Sequence, residues 1–274
     1  MTNCKTIAIA NQKGGVGKTT TTLSLGVALS KLGNKVLLVD TDPQSDLTAS
    51  MGWTESDKLD LNLSDLMEAA IVCRDFSTEN AILHHKENID LLPSSLDLSV
   101  TESNLFNAYS RERTLKDCLE QVKDKYDYIL IDCMPSLGMM TINALTASDS
   151  VIIPVQSQYL AARGMTHLLQ TIDRTQKRLN DNLKIEGVLL TLNDNRTNLS
   201  KDINTFMREN YGKHIKIFNT QIPIAIKAAE STLQGESIFS YDKNNRVANA
   251  YLEFAKEVIG IEPRQIKKEP SFDR

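Results

Sequence analysis

The stretch KTIAIANQKGGVGKTTTT, residues 5–22, decides the fold. Its first six residues form a short apolar, β-branched run that reads as a buried strand. The segment TTTTLSLGVALSKLG after it reads as a helix ending at Gly33. Between them lies a glycine-rich turn. Such a turn presents successive backbone N–H groups beside the positive end of a helix, which together cradle an anion. Gly14, Gly15 and Gly17 permit the unusual backbone angles and the close approach that phosphate requires. The phosphate-loop pattern G-x-x-x-x-G-K-[ST] ends correctly at Gly17, Lys18 and Thr19, but its first glycine position holds Gln12, and an extra lysine, Lys13, follows. Gly14, Gly15, Val16, Gly17, Lys18, Thr19 and Thr20 make up the nucleotide-binding loop. Lys18 contacts the β- and γ-phosphates and is counted as catalytic, and the Thr19 hydroxyl sits on Mg²⁺. Lys13 is either a solvated charge or a group that reaches a neighbouring subunit's nucleotide, as an arginine finger does.

Outward from this loop the same alternation repeats. KVLLVD (35–40), NIDLLP (88–93), YDYILIDC (126–133), SVIIPV (150–155), KIEGVLLTL (184–192) and HIKIFNT (214–220) read as strands separated by helical patterns. Continuous apolar strands alternating with helices predict a twisted, mostly parallel sheet flanked by helices on both faces, with ligands at the strand C-terminal ends. The fold class is α/β, a P-loop NTPase, with one domain over residues 1–260 and a polar, frayed tail over 261–274. The stretch 54–87 reads only as short helices and loops. Two predicted strands end in aspartate. Asp40, with Asp42 two residues on, can hold Mg²⁺ or orient a water, or can serve turn chemistry before Pro43. Asp132 closes a run of four apolar or aromatic residues, a Walker B pattern, and holds Mg²⁺ through water.

Bulk properties narrow the classes. The chain has 274 residues, 41% of them hydrophobic, enough for a sizeable core. A net charge of −4 excludes wholesale nucleic-acid affinity and leaves only a local patch. The four cysteines form no CxxC pair, which argues against structural zinc or a cluster within one chain and suits a reducing, cytoplasmic setting. The N-terminal apolar run is too short for a signal peptide, and no stretch is long enough to span a membrane.

In combination, KGGVGKTT, VLLVDTDPQSDLT and YDYILIDCMPSLGMMTINALTASDSVIIPVQ resemble the deviant Walker A, second-signature and Walker B segments of the ParA/MinD ATPases. The later segments GVLLTLNDNRTNLSKDI and FNTQIPIAIKAAES continue the resemblance to about residue 258. Among the subfamilies, the short, Soj-like ParA partition ATPases look most similar. The resemblance implies ATP/ADP and Mg²⁺ as cofactors and a homodimer that sandwiches two ATPs. It also implies that Lys13 contacts the partner's nucleotide and that Asp42 positions the attacking water, so that Lys13, Lys18 and Asp42 are the catalytic set, with Thr19, Asp40 and Asp132 around the metal. Adenine is then met by Asn193 and the Ile222-Pro223 corner after the last strand. Asn193 is equally a turn asparagine. Non-specific double-stranded DNA would be bound by Arg196 and Lys227. A ParB-like centromere-binding partner would stimulate slow hydrolysis, and the ATP-bound form would associate with the nucleoid.

Three departures from the family pattern stand out. Met134 replaces a proline in Asp132-Cys133-Met134-Pro135-Ser136 and should loosen that turn. Asp46 stands where asparagine is common, either as a metal or switch group or as an acid at a helix start. The segment Ile222–Lys227 carries one basic residue where the family often has two, although residues 184–246 are otherwise the relatively basic part of the chain. The tail, with Pro263 and Pro270, lacks the amphipathic face of a membrane-binding MinD-like protein. Cys133 lacks a matching cluster partner and reads as a small buried hydrophobe. Two alternatives stay open at this point: a related ATPase that positions another cargo, such as a chemotaxis array or secretion machine, and a nucleotide-gated scaffold with little turnover.

Overall fold

A computed structural model describes residues 4–156, 159–194 and 196–261. Its strands are β1 (Lys5–Ile9), β2 (Val36–Asp40), β3 (Leu83–His85), β4 (Ile89–Leu92), β5 (Tyr128–Asp132), β6 (Ser150–Gln156), β7 (Lys184–Asn193) and β8 (Ile217–Pro223). Helices α1 (Lys18–Lys31), α2 (Asp46–Ser50), α3 (Leu63–Ile71), α4 (Leu98–Leu105), α5 (Thr114–Glu120) and α6 (Met139–Ala147) belong to the first half. Helices α7 (Tyr159–Arg178), α8 (Asn198–Asn210), α9 (Ile226–Leu233), α10 (Ile238–Tyr241) and α11 (Arg246–Ile259) follow.

The eight strands form one sheet in the order β3-β4-β2-β5-β1-β6-β7-β8. Every pairing is parallel except β3 with β4. The period-2 alternation of strands sorts the apolar side chains into two cores. Ile7, Ile9, Val36, Leu38 and Leu130 join the core that holds α1, α10 and α11. Ala8, Ala10, Leu37, Val39, Ile129 and Ile131 join the core on the other face, with α3, α5 and α6. Burial on both faces is why these strands read as unbroken apolar runs.

The topology places the site. From β1 the chain winds outward through β2 to β4, returns to β5 beside β1, and then crosses to β6 on β1's other flank. The winding therefore reverses at β1, and the crevice beyond its C-terminal end is where such sheets bind ligands. Two strand readings are corrected here. The last strand runs from Ile217 to Pro223, not 214–220, so Ile222 and Pro223 end the strand itself rather than a corner beyond it. The stretch 54–87, read as short helices and loops, also contains the antiparallel edge strand β3. The strand runs on past Thr220 through polar Gln221 to Pro223, residues that carry no apolar strand signal, and its edge is covered: the Glu257 carboxylate on α11 accepts the Asn219 and Thr220 backbone N–H groups at 2.9 and 3.1 Å.

Candidate nucleotide site

The loop between β1 and α1 is built to be left incomplete. Gly15 and Gly17 have φ of 71° and 84°, in the left-handed region that a side chain disfavours. Helix α1 starts with no side-chain cap and no acid in its first turn, so its first backbone N–H groups have no internal anion. Asn11, nearly fully buried, braces the loop from below. Its amide donates to the Pro154 carbonyl at 2.7 Å, and its oxygen accepts the Lys13 N–H at 3.0 Å. The Thr191 hydroxyl on β7 donates to the Val16 carbonyl at 2.8 Å, tying the loop to the other half of the sheet. Lys18 is buried and its Nζ donates to the Lys13 carbonyl at 3.3 Å. Burial lowers its pKa, while Asp132, then Cys133 and Asp42, oppose that shift. Lys13 is half-buried on the same loop.

The aspartates face this lysine across the strand ends. Asp40 and Asp132 are register partners on adjacent parallel strands, and both are fully buried. Burial is the main cause that pushes Asp132 up to about 8, with the neighbouring Asp40 carboxylate adding to it. The Thr19 and Thr22 hydroxyls and the charge of Lys18 oppose the shift, and Thr22 donates to Asp132 Oδ1 at 3.1 Å. Burial also pushes Asp40 up, to about 6, held back by the Thr48 hydroxyl and N–H, which both donate to its Oδ2, at 2.7 and 2.9 Å. Asp42 is raised by burial, partly offset by the Gln44 N–H, with Asp46 adding repulsion. Two buried carboxyls whose anionic forms are costly make a place where a cation is favoured. Among the described residues no cluster of three or more His, Cys, Asp or Glu could hold a metal by itself. That donor set fits Mg²⁺, which keeps its waters and takes one or two carboxylates plus substrate phosphates. Thr19 would hold it directly and Asp132 and Asp40 through water, and it would supply charge neutralisation of the phosphates.

Beside Gly17 and Thr20 a cavity of about 220 Å³ opens, walled by Leu192, Ile222, Pro223 and Tyr251. The structure thus places Ile222 and Pro223, named from the resemblance as base contacts, around one cavity with Gly17 and Thr20 of the phosphate loop. Leu192 lies in the left-handed region, φ 49°, an uncommon conformation for a bulky residue that tends to mark functional sites. Asn193 is buried beside Pro223 on the next strand, and its amide donates to Gln221 Oε1 at 2.6 Å, so part of its hydrogen-bonding capacity is used within the protein.

Further out, Arg196, Lys227 and Arg246 share one shallow cleft with Ile224 and Ile226. Each of the two residues assigned to DNA has an acidic partner. Arg196 donates twice to Asp194, both at 2.8 Å, and Lys227 donates to Asp242 at 2.8 Å. Exposed pairs of this kind are weak and exchange readily. Asp46 opens α2, where the helix dipole favours an acid. Cys133 is buried, and its thiol is pushed well above the usual range by burial and then by Asp132. Residue 195 and the tail beyond Ile261, on which the argument against a membrane helix rests, lie outside the described residues. Among those residues no helix is long and apolar enough to cross a membrane. Asn11, Thr22, Thr48 and Thr191 were not singled out from the sequence. Asn11 alone had a signal, as the polar residue between strand and loop. The three threonines are ordinary strand and helix residues until the fold brings them to the site.

A glycine loop opening an uncapped helix, a buried lysine, and two aspartates at adjacent strand ends define a Mg²⁺-dependent nucleotide-binding P-loop protein. Residues 4–185 match the family described as an AAA domain. The chain is 45% identical over 258 residues to the sporulation initiation inhibitor protein Soj of Bacillus subtilis, covering 93% of this chain and 98% of Soj. It is 39% identical to the chromosome partitioning protein ParA of Caulobacter vibrioides, over 96% of this chain and 97% of that one. Among solved structures, cobyrinic acid a,c-diamide synthase from Mycobacterium smegmatis with a bound ATP analog and magnesium superposes with a TM-score of 0.80 at 37% identity, covering 93% and 94% of the two chains. The chain belongs to the Soj/ParA family of P-loop partition ATPases, and its cofactors are ATP or ADP with magnesium.

Proposed function

We propose that ATP binding closes two copies of this chain over two nucleotides, with Lys13 of each loop reaching the other copy's phosphates. Lys18, Thr19 and the loop backbone from Gly14 to Gly17 hold the phosphates of their own nucleotide, with Thr20 beside them. Asp42 orients the attacking water and accepts its hydrogen bond, and burial raises its pKa, which makes its carboxylate more basic than a solvated one. Ile222 and Pro223 pack against the base, and Asn193 offers it an amide edge. The closed dimer binds double-stranded DNA without sequence preference through the cleft of Arg196, Lys227 and Arg246, exchanging the internal carboxylate partners for phosphates. Hydrolysis, stimulated by a ParB-like centromere-binding partner, releases the DNA. The cycle segregates plasmid, mobile-element or chromosomal DNA from a cytoplasmic, nucleoid-associated pool. Residues 1–260 act as one unit in this reading.

The observation that carries the reading is the pair of lysines on one loop: Lys18 is buried among aspartates, while half-buried Lys13 lends its carbonyl to Lys18. The test is Lys13→Ala. Size exclusion with ATP should show loss of the dimer, and salt-sensitive binding to random duplex DNA should go with it. A variant that dimerises, binds DNA and hydrolyses ATP like the parent removes the in-trans role.

A further inference from the structure

Gly52 and Gly235 belong to different halves of the chain, and their backbones touch. Both lie in the left-handed region, with φ of 98° and 64°. A Cβ on Gly235 would sit 2.6 Å from Gly52 Cα and 3.0 Å from its nitrogen, too close unless backbone moves. At Gly33 and Gly260 the left-handed φ alone asks for glycine, since a Cβ there would meet no atom of the described residues within 4 Å. Gly235 is required twice, once for its φ and once for the contact.

Each of the two glycines ends a run of backbone hydrogen bonds that leads back to the nucleotide cleft. On one side the Gly52 N–H donates to the Ala49 carbonyl, the Ala49 N–H to Ser45, and the Ser45 N–H to Asp42, each at 2.9 Å. Helix α2 lies within this run, and its Thr48 holds the Asp40 carboxylate. On the other side the Gly235 N–H donates to the Thr232 carbonyl at 3.2 Å. Thr232 and Ala228, both on α9, wall the cavity beside Gly17 and Thr20. The touching glycines thus complete a continuous path from the wall of that cavity to Asp42.

The β3–β4 hairpin braces the path from outside. Glu236 pairs with Lys86 at 2.8 Å. The Ser237 and Ser240 hydroxyls both donate to Glu87 Oε1, at 2.6 Å. Beside Gly52, the Trp53 ring meets the His85 ring at 62°, with centroids 5.8 Å apart. Three successive residues after α9 are therefore fixed, Gly235 by Gly52 and the next two by the hairpin. A shift of α9 is passed on to Gly52 instead of being absorbed in a slack turn.

We infer that the Gly52–Gly235 contact couples occupancy of the base cavity to the setting of Asp42 and Asp40, so that the base is recognised in the rate of hydrolysis more than in affinity. Both glycines are positioning residues and touch no reacting atom. The inference deepens the proposed function and rests on its placement of the base against Ile222 and of the attacking water at Asp42.

Trp53 is the chain's single tryptophan and adjoins Gly52, so its fluorescence reads the contact without turnover. With the full chain and Mg²⁺, saturating ADP should shift Trp53 emission further than saturating ribose 5-diphosphate, which lacks the base. Single-turnover hydrolysis of ATP should exceed that of ribose 5-triphosphate at least about fivefold, the lower end for coupled sites. Gly235→Ala should erase both differences by bringing ATP down to the ribose triphosphate rate, which itself stays unchanged. Gly260→Ala, with the same φ strain and no contact, should behave as the parent. If Gly235→Ala does not fold, Glu87→Ala takes its place: it should shrink both differences, and Glu87→Gln, which keeps the acceptor oxygen, should restore them. Parental base dependence in Gly235→Ala overturns the inference, as does equal slowing of both substrates or the same loss in Gly260→Ala. Ile222→Phe, which fills the cavity, separates the two readings. If it erases the base dependence and Gly235→Ala does not, the coupling falls and the base placement stands. If it leaves the base dependence intact, the placement falls and the inference with it. A parent that hydrolyses no ATP refutes the proposed cycle, while Trp53 emission still decides the coupling.

Discussion

The two ends of the nucleotide cleft are built on opposite principles. At the phosphate end the protein holds charge at a cost: α1 begins without a side-chain cap, burial lowers the pKa of Lys18, and Asp132 and Asp40 are held where their anions are costly. At the base end the protein satisfies itself. Asn193 donates to Gln221, and the cavity is walled by apolar side chains. Elsewhere in the chain, α3 shows what a helix looks like when no ligand is awaited: Asn62 and Asp65 close a full capping box on its start. The difference predicts that ligand affinity is concentrated at the phosphates and that base contacts add selectivity and little else.

The largest effect should come from Asp42→Asn. If Asp42 has the proposed role of orienting the water and accepting its proton, this change should slow single-turnover hydrolysis by about 10²- to 10⁴-fold. ATP affinity should stay close to the parent's, because Asp42 lies outside the loop that cradles the phosphates. A variant that loses ATP binding in titration calorimetry to the same degree as turnover would place Asp42 in binding instead. Next comes Lys18→Ala. Loss of a buried, charge-assisted contact to phosphate should weaken ATP about 10- to 100-fold. The same titration measures it, and a change below threefold would remove the asymmetry between the two ends.

The unequal legibility of the ends has the same cause. The phosphate end is written in backbone: left-handed angles at Gly15 and Gly17 demand glycine, and a carboxylate at a buried strand end demands an explanation. Such residue types stand out in a sequence, and the parallel sheet follows from strands apolar on both faces. The base end is assembled from Ile222, named only through the family resemblance, together with Val247 and Tyr251, ordinary residues spread across the chain and meeting only after folding. Nothing local marks them, and the end of β8 was missed because polar Gln221 and Pro223 interrupt the apolar pattern by which strands are read. Strand β3 was missed because it has three residues and no apolar alternation.

A third prediction concerns pH. In nucleotide-free, EDTA-treated protein, the folded state keeps Asp132 protonated up to about pH 8 and Asp40 up to about 6, whereas both ionise near 3.9 when unfolded. Between about pH 4 and 8 the folded state thus binds more protons, so stability falls as pH rises. The thermal midpoint should therefore drop between pH 5 and 8, and Asp132→Asn should flatten the part of that drop above pH 6. If parent and variant share one profile, Asp132 does not carry the strain assigned to it. Mg²⁺ and ATP should release protons to buffer on binding near neutral pH, because they favour the anion.

The smallest effect is predicted for Asn193→Ala. The change removes the 2.6 Å donor to Gln221 Oε1 and leaves it the longer contact from the Asn204 amide at 3.3 Å, a lost hydrogen bond that costs about 0.5–1.5 kcal/mol of stability. Ligand affinity should fall much less, under about tenfold, because the loop and Lys18 are untouched. A base-reading role would show instead as a narrowed preference for ATP over GTP in competition titrations, with stability and selectivity both reduced. A purely structural role would lower the melting midpoint and leave that preference intact. If Asn193→Ala weakens ATP as severely as Lys18→Ala, affinity is shared between the ends of the cleft, and the contrast between an open phosphate end and a self-satisfied base end fails.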